Sequence, residues 1–298
     1  MTDVSIIFIN YNTVNFLVDA IDSVLYHTTD IGYEIIVVDN HSSDNSQAIL
    51  DERYGKKALY LSLKENIGFG RANNEGIKIA RGRNIFLLNP DTVLQNNAVK
   101  ILSDYLDTQI EVGVCGGNLF DGNGNPAYSF TREFPSLYGG IMAFVSGLYA
   151  NISGQIREFN YGSRPIKVAC ITGADMMIRK IVLEKTGVFD ADFFMYAEEV
   201  ELSVRIRRKG YKIVNVPQAR ITHLEGKSIE LNEKRIRLQL EGRKLFFRKT
   251  YSSFYGKLVK SEYYILALLR MCIFRLTRNK QKSDEWQLKS RLMKEIWF

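Results

Sequence analysis

The chain opens on two β-branched runs, VSIIFI at 4–9 and EIIVVD at 34–39; between them Val14, Leu17, Ile21 and Val24 recur at helical spacing. Strand, amphipathic helix and strand make a βαβ unit, and runs this apolar suit parallel strands covered on both faces. The pattern continues. Ser43 or Asp44 caps a short helix through Leu50, ALYLSL reads as a strand, 68–80 as a helix and NIFLLNPD as the next strand. Gln95 to Asp107 is a further amphipathic helix, and VGVCGG a further strand.

Beyond this point the style changes. NLFDGNGNPAYSFTRE sets a glycine-rich turn between alternating segments, which predicts an antiparallel hairpin or flap. LYGGIMAFVSGLYANISG, at 137–154, is apolar and glycine-bearing without a clear period, and predicts a loop or broken helix near an acceptor site. KVACITGADMMIRK returns to strand character, EEVELSVRIRRKG is a helix ended by Gly210, and YKIVNVP is a strand. The expected organisation is one α/β domain over 1–230 and a basic helical extension over 231–298.

At 298 residues and 46% apolar, the chain can bury a large core. Its net charge of +7 is unevenly placed: residues 227–298 hold 18 Lys/Arg against 7 Asp/Glu, an excess of 11 that leaves −4 for the remainder. No nucleic-acid recognition motif accompanies the basic tail, so nucleic acid is not an expected partner. Cys115, Cys170 and Cys272 are far apart, which suits a reducing compartment. The first residues carry an acid where a signal peptide needs bases, so a cytoplasmic location is expected. In the tail, the apolar stretch Tyr263 to Phe274 is too short to span a bilayer and is bordered by Arg275, Arg278, Lys280 and Lys282. Two readings fit: a helix lying on the anionic inner face of the cell membrane, or one packed on the domain or a dimer partner. The oligomeric state stays open.

Three apolar strands end in polar clusters: Asn10-Tyr11-Asn12, Asp39-Asn40 and Asn89-Pro90-Asp91. In parallel α/β sheets, ligands bind at the carboxyl ends of strands, where the loops diverge. Asp39 suits an acceptor for the imide N–H of uracil or thymine, with Tyr11 as a stacking wall; it is equally a good turn former. Asn89 and Asp91 suit a hard divalent cation on a diphosphate, although Asn-Pro-Asp also makes a turn by itself. Glu198 and Glu199 open a helix, where an acid either answers the helix dipole or serves as a general base. His223 is a structural imidazole or a third metal ligand, and in the second case favours Mn²⁺ over Mg²⁺. The glycines at 68, 70 and 76 miss the dinucleotide spacing, and the Gly-Lys-Ser turn at 226–228 lacks the rest of a P-loop.

Taken in order, VSIIFINYNT, EIIVVDNHSSDNS, ENIGFGRANNEGI, NIFLLNPDTVL, TGADMMIRK, FFMYAEEVELSVRIRRKGY and THLEGKS resemble the blocks of family 2 glycosyltransferases, most of all the rhamnosyltransferase-like branch. The resemblance covers about residues 3–230. It implies a GT-A fold with a mainly parallel central sheet, a UDP- or dTDP-sugar donor, a divalent cation (Mn²⁺ or Mg²⁺), and transfer with inversion. The implied product is a bacterial surface polysaccharide, made by moving rhamnose or a hexose to a saccharide acceptor; a lipid-linked acceptor is expected if the tail lies on the membrane. Carried over by position, Asp39 recognises the base and Tyr11 packs on the nucleotide, while Asn66, Gly68 and Asn74 fall in the block lining the donor. Asn89 and Asp91 occupy the ends of the Asp-x-Asp motif, with Asn in first place. His223 matches a late metal-binding histidine. Glu199 takes the base position of the usual Glu-Asp pair, one methylene longer, with Glu198 as the competing choice. Asp175, within TGADMMIRK, is a weaker candidate for a sugar or acceptor hydroxyl. The alternative is a catalytically inactive sugar-nucleotide-binding protein of the same fold, of which Asn89 and Glu199 would be symptoms.

Overall fold

A computed structural model of the chain describes residues 2–224 and 233–298, the side chains of 151–153 excepted. The Gly-Lys-Ser turn and the expected domain boundary at 230 lie outside the described residues. In chain order the strands are β1 (Val4–Asn10), β2 (Tyr33–Asp39), β3 (Ala58–Ser62), β4 (Asn84–Leu88), β5 (Thr92–Leu94), β6 (Val112–Phe120), β7 (Phe130–Thr131), β8 (Ile166–Lys167), β9 (Cys170–Ile171), β10 (Asp175–Arg179) and β11 (Lys212–His223). The helices are α1 (Val14–His27), α2 (Ser46–Tyr54), α3 (Phe69–Ile79), α4 (Ala98–Thr108), α5 (Leu137–Ser153), α6 (Lys180–Thr186), α7 (Glu198–Arg208), α8 (Glu233–Thr250), α9 (Ser253–Leu276) and α10 (Lys280–Trp297).

Among the described residues the main sheet runs β3-β2-β1-β4-β10-β6-β11-β5, with β8 beside β11. β1 to β4, β6 and β11 run one way; β5, β8 and β10 oppose them. Alternation along β1 shows why the strands read as unbroken apolar runs: Ile6 and Phe8 enter the core under α1 and α4, while Ile7 and Ile9 enter the one under α3, α6 and α7. β11 is longer than YKIVNVP, and accommodates Pro217 because its register on β6 shifts between Asn215 and Arg220.

Two expectations change. The Asp121–Asn125 turn forms, but its return arm makes only the Phe120–Pro126 bridge, and β7 pairs with β9 in a separate two-stranded sheet instead of closing a hairpin on β6. Residues 137–153 form one continuous helix, not a loop: Ser136 Oγ caps it by accepting from the Gly139 N–H, and Gly154 ends it in the left-handed region. Its glycines mark a helix crossing. A Cβ on Gly140 would lie 2.6 Å from Glu262 of α9, and Gly147, two turns on, faces Arg270 of the same helix.

The tail packs on the domain. Leu240, Phe246, Phe247, Val259, Leu292 and Trp297 bury a third core against Phe193 and Val204. Among the described residues no helix is long and apolar enough to cross a membrane.

Candidate active site

Because β1, β2, β4 and β11 run the same way, Asn10, Asp39, Asn89, Asp91 and His223 share one edge of the sheet. α7 returns antiparallel to β11, so Glu198 and Glu199 start at that edge too. The sequence clusters are thus brought to one side of the molecule by strand direction alone.

Asn10 and Asp39 stand opposite in the β1–β2 register. Asn10 Nδ2 lies 2.8 Å from Asp39 Oδ1 and 2.6 Å from Ser46 Oγ, and the Ser42 N–H donates to Asp39 Oδ2 at 3.0 Å. Asp39 is only 3% exposed. Besides these two donors its carboxylate meets the Tyr60 hydroxyl, and an ionised carboxylate has about four acceptor positions, so capacity remains for a further donor. Tyr11, beside it, is 49% exposed, as a stacking surface must be. The Asn66 side chain bridges from Asn40 to the Gly68 N–H. Asn74 clamps the Phe189 peptide with both its amide groups, and so positions the chain that leads to α7.

At β4, the Asn89 N–H is held by the Ala174 carbonyl and the Asn89 carbonyl accepts from Thr92, which fixes the loop carrying Asp91. Thr92 pairs with His223 in the β5–β11 register, and the Leu224 N–H donates to the Asp91 carbonyl. His223 Nε2 therefore comes within 3.2 Å of Asp91 Oδ1, with the side chains 7% and 14% exposed. Among the described residues no third His, Cys, Asp or Glu joins them. One carboxylate and one imidazole fit a divalent cation that takes its other ligands from a diphosphate and water.

The third part is the Phe194–Ala197 loop before α7. Gly68 has φ +87°, and a Cβ there would lie 2.2 Å from the Phe194 carbonyl oxygen, which instead accepts from the Phe69 N–H. From the other side, a Cβ on Gly242 of α8 would lie 2.3 Å from the Tyr196 carbonyl oxygen. Clamped between α3 and α8, Tyr196 and Ala197 both adopt positive φ, which L residues sustain only when their surroundings impose it. α7 begins immediately afterwards. Glu199 lines a cavity of about 300 Å³ with Tyr128, Thr172, Gln239, Arg243 and Phe246. Burial raises its carboxyl above the ordinary range. Glu198 is 4% exposed and turned away, one carboxylate oxygen without a partner among the described residues; burial, then the Glu199 charge, raises it well above that range.

The sequence profile of Glycosyl transferase family 2 matches residues 5–187. The chain belongs to this family. Among its relatives it is 26% identical over 211 residues to the N-acetylglucosaminyl-diphospho-decaprenol L-rhamnosyltransferase of Mycobacterium tuberculosis, covering 65% of this chain and 67% of the relative. It is 31% identical over 202 residues to an uncharacterized glycosyltransferase of Rickettsia prowazekii, covering 67% and 57%, and 28% identical over 261 residues to the poly-beta-1,6-N-acetyl-D-glucosamine synthase of Staphylococcus epidermidis, covering 86% and 58%. This family 2 member thus spans less than three fifths of the last two relatives. Its fold is shared by GalNAc-T7 crystallised with UDP, GalNAc and Mn²⁺ (TM-score 0.59, 14% identity, 79% of this chain and 48% of that one). It is shared as well by Staphylococcus aureus TarS 1-349 (TM-score 0.57, 12% identity, 98% and 90%). The architecture is accordingly GT-A, and the protein is a glycosyltransferase with rhamnosyltransferase relatives.

Asp175 is a correction. It is fully buried, accepts from the Gly117 N–H at 2.6 Å, and burial holds its carboxyl well above the usual range, so it belongs to the core and meets no sugar hydroxyl. Sequence reasoning also missed Gln239 and Arg243, which complete the wall opposite Glu199 from α8. Both lie beyond the family-matched residues in a basic helix. The only local sign was Gly242, a poor residue for a helix interior.

Proposed function

We propose that this glycosyltransferase works by inversion, with a divalent cation, moving rhamnose or another hexose from a UDP- or dTDP-sugar to a lipid-linked saccharide at the cytoplasmic face of a bacterial membrane. The observation that carries the reading is Glu199: a carboxyl with a raised pKa, lining a cavity, on the sheet edge that also holds Asp39 and the Asp91–His223 pair. Asp39 takes the imide N–H of the base and Tyr11 its face. Asp91 and His223 hold the cation, with Asn89 shaping their loop; when bound, that ion offsets charge on the departing nucleoside diphosphate.

The acceptor hydroxyl oxygen bonds to the anomeric carbon as the bond from that carbon to the diphosphate oxygen breaks, and the hydroxyl proton passes to the Glu199 carboxylate. One displacement gives inversion and no covalent enzyme intermediate. Glu199, and not Glu198, takes the proton because only Glu199 lines the cavity. The lipid-linked acceptor is supported by the rhamnosyltransferase relative and by α9, whose exposed Leu258, Ile265, Leu269 and Leu276 recur at intervals of 7, 4 and 7 beside Lys257 and Arg275. Such a stripe suits a peripheral seat on an anionic membrane.

The test is a thermal-shift panel of UDP, dTDP and GDP with and without Mn²⁺, followed by nucleoside diphosphate release from the matching sugar donors. Stabilisation by a uracil or thymine nucleotide that Mn²⁺ strengthens, together with release, is expected. Tight nucleotide binding with no release from any donor would instead mean an inactive sugar-nucleotide-binding protein.

A further inference from the structure

Beside the Glu199 cavity lies a second, of about 350 Å³, between the β7 segment and helices α5, α8, α9 and α10. The two share Tyr128, Thr131, Pro135, Gln239 and Arg243 in their walls. The two cavities therefore adjoin, one at Glu199 and the other in the helical extension.

Its polar lining is unbalanced. Arg132, Arg243, Arg270 and Lys289 face Glu133 and Glu158. Glu133 is committed to Arg157 through two bonds, of 2.9 and 2.5 Å, and Lys289 to Glu285. Glu158 forms no ion pair among the described residues, and burial raises its carboxyl above the ordinary value. Arg243 and Arg270 have no carboxylate within ion-pairing distance among the described residues. What orients them is aromatic: Arg243 lies 5.2 Å from the Tyr263 ring centre, and Arg270 lies 4.6 Å from that of Trp286 while donating to the Ala143 carbonyl. Two half-buried guanidinium groups side by side without an anion leave donors free for one, and their planar forks match a phosphate.

We propose that this second cavity is an acceptor subsite for a diphosphate, with Arg243 and Arg270 as its ligands and the attached sugar extending through the shared wall to Glu199. The assignment rests on the glycosyltransferase reading above. The diphosphate is that of a lipid-linked saccharide, and its chain leaves between α5 and α9, past Ala143 and Leu266. Both arginines lie outside residues 5–187, so this selectivity belongs to the appended helices and not to the matched domain.

Calorimetric titration of the full chain in EDTA decides it, using octyl diphosphate, inorganic pyrophosphate and octyl glucoside as probes. Octyl diphosphate should bind at least tenfold more tightly than either of the others. Arg243→Gln and Arg270→Gln should each weaken it tenfold or more, whereas Asp91→Asn should leave it unchanged. Because Arg270 also ties α5 down, the deciding variant is Arg243→Gln with an unaltered melting temperature. Equal binding of pyrophosphate, an Arg243→Gln affinity within twofold of the parent, or loss in Asp91→Asn would each overturn the subsite. Donor turnover stands apart: its absence with octyl diphosphate binding intact removes the proposed function alone, and the converse removes the subsite alone.

Discussion

The two groups of candidate site residues are built on opposite principles. At the sheet edge the polar groups are already answered by protein: Asp39 by Asn10 and the Ser42 N–H, Asp91 by His223, Asn66 by Asn40. On α7 and α9, by contrast, Glu198 and Glu262 are buried or half-buried with carboxylate oxygens that no protein partner satisfies among the described residues, and Arg243 of α8 faces its cavity without an ion-pair partner there. A satisfied network is rigid and preorganised for a constant ligand such as a nucleotide, while unsatisfied groups carry a desolvation cost that a ligand can relieve. On the proposed assignment, the donor side is finished by folding and the acceptor side by its substrate.

The sharpest way to break this contrast is at Glu199. Glu199→Gln should lower transfer by about 10²–10⁴-fold with nucleotide affinity within twofold of the parent, whereas Glu198→Gln should cost far less. Since burial raises the Glu199 carboxyl and the base works deprotonated, transfer should increase with pH through a limb above the ordinary carboxylate range. A pH profile of nucleoside diphosphate release with acceptor checks both, and equal losses in the two variants would end the assignment.

On the donor side, Asp91→Asn should reduce the Mn²⁺-dependent gain in UDP or dTDP affinity about tenfold or more, read by calorimetry with and without chelator. The affinity measured without metal should barely move.

Between the two sides stands Gly242. Gly242→Ala sets a methyl group against the Tyr196 carbonyl and should cost roughly 1–3 kcal/mol in urea unfolding, with transfer reduced and metal-dependent nucleotide binding retained.

The smallest effect is at Glu262, whose carboxyl burial pushes up to about 7 opposite Gly140. The folded state then holds a proton that the unfolded chain releases near the ordinary value, so stability present at low pH is lost as pH rises through 7. Glu262→Gln should raise Tm by about 2–4 °C at pH 8 and leave it nearly unchanged at pH 5.

The contrast also explains what could be read from residues in a row. Strand periodicity and polar strand ends are local, so β1, β2 and β4 with Asn10, Asp39 and Asp91 were legible, and the family blocks placed Glu199 among them. α5 was not, because Gly140 and Gly147 answer to α9, more than a hundred residues later. The wall of Arg243 and Arg270 was hidden for the same reason: each sits in an ordinary basic helix, and only the third core folds the two cations towards β7. The tail's basic composition suggested an outer surface, whereas some of that charge faces inward.

The Phe194–Ala197 peptide is gripped from both directions by backbones without side chains, Gly68 on one and Gly242 on the other. Arg243 follows Gly242 directly, so a displacement of α8 at that arginine would press on the peptide that leads into α7.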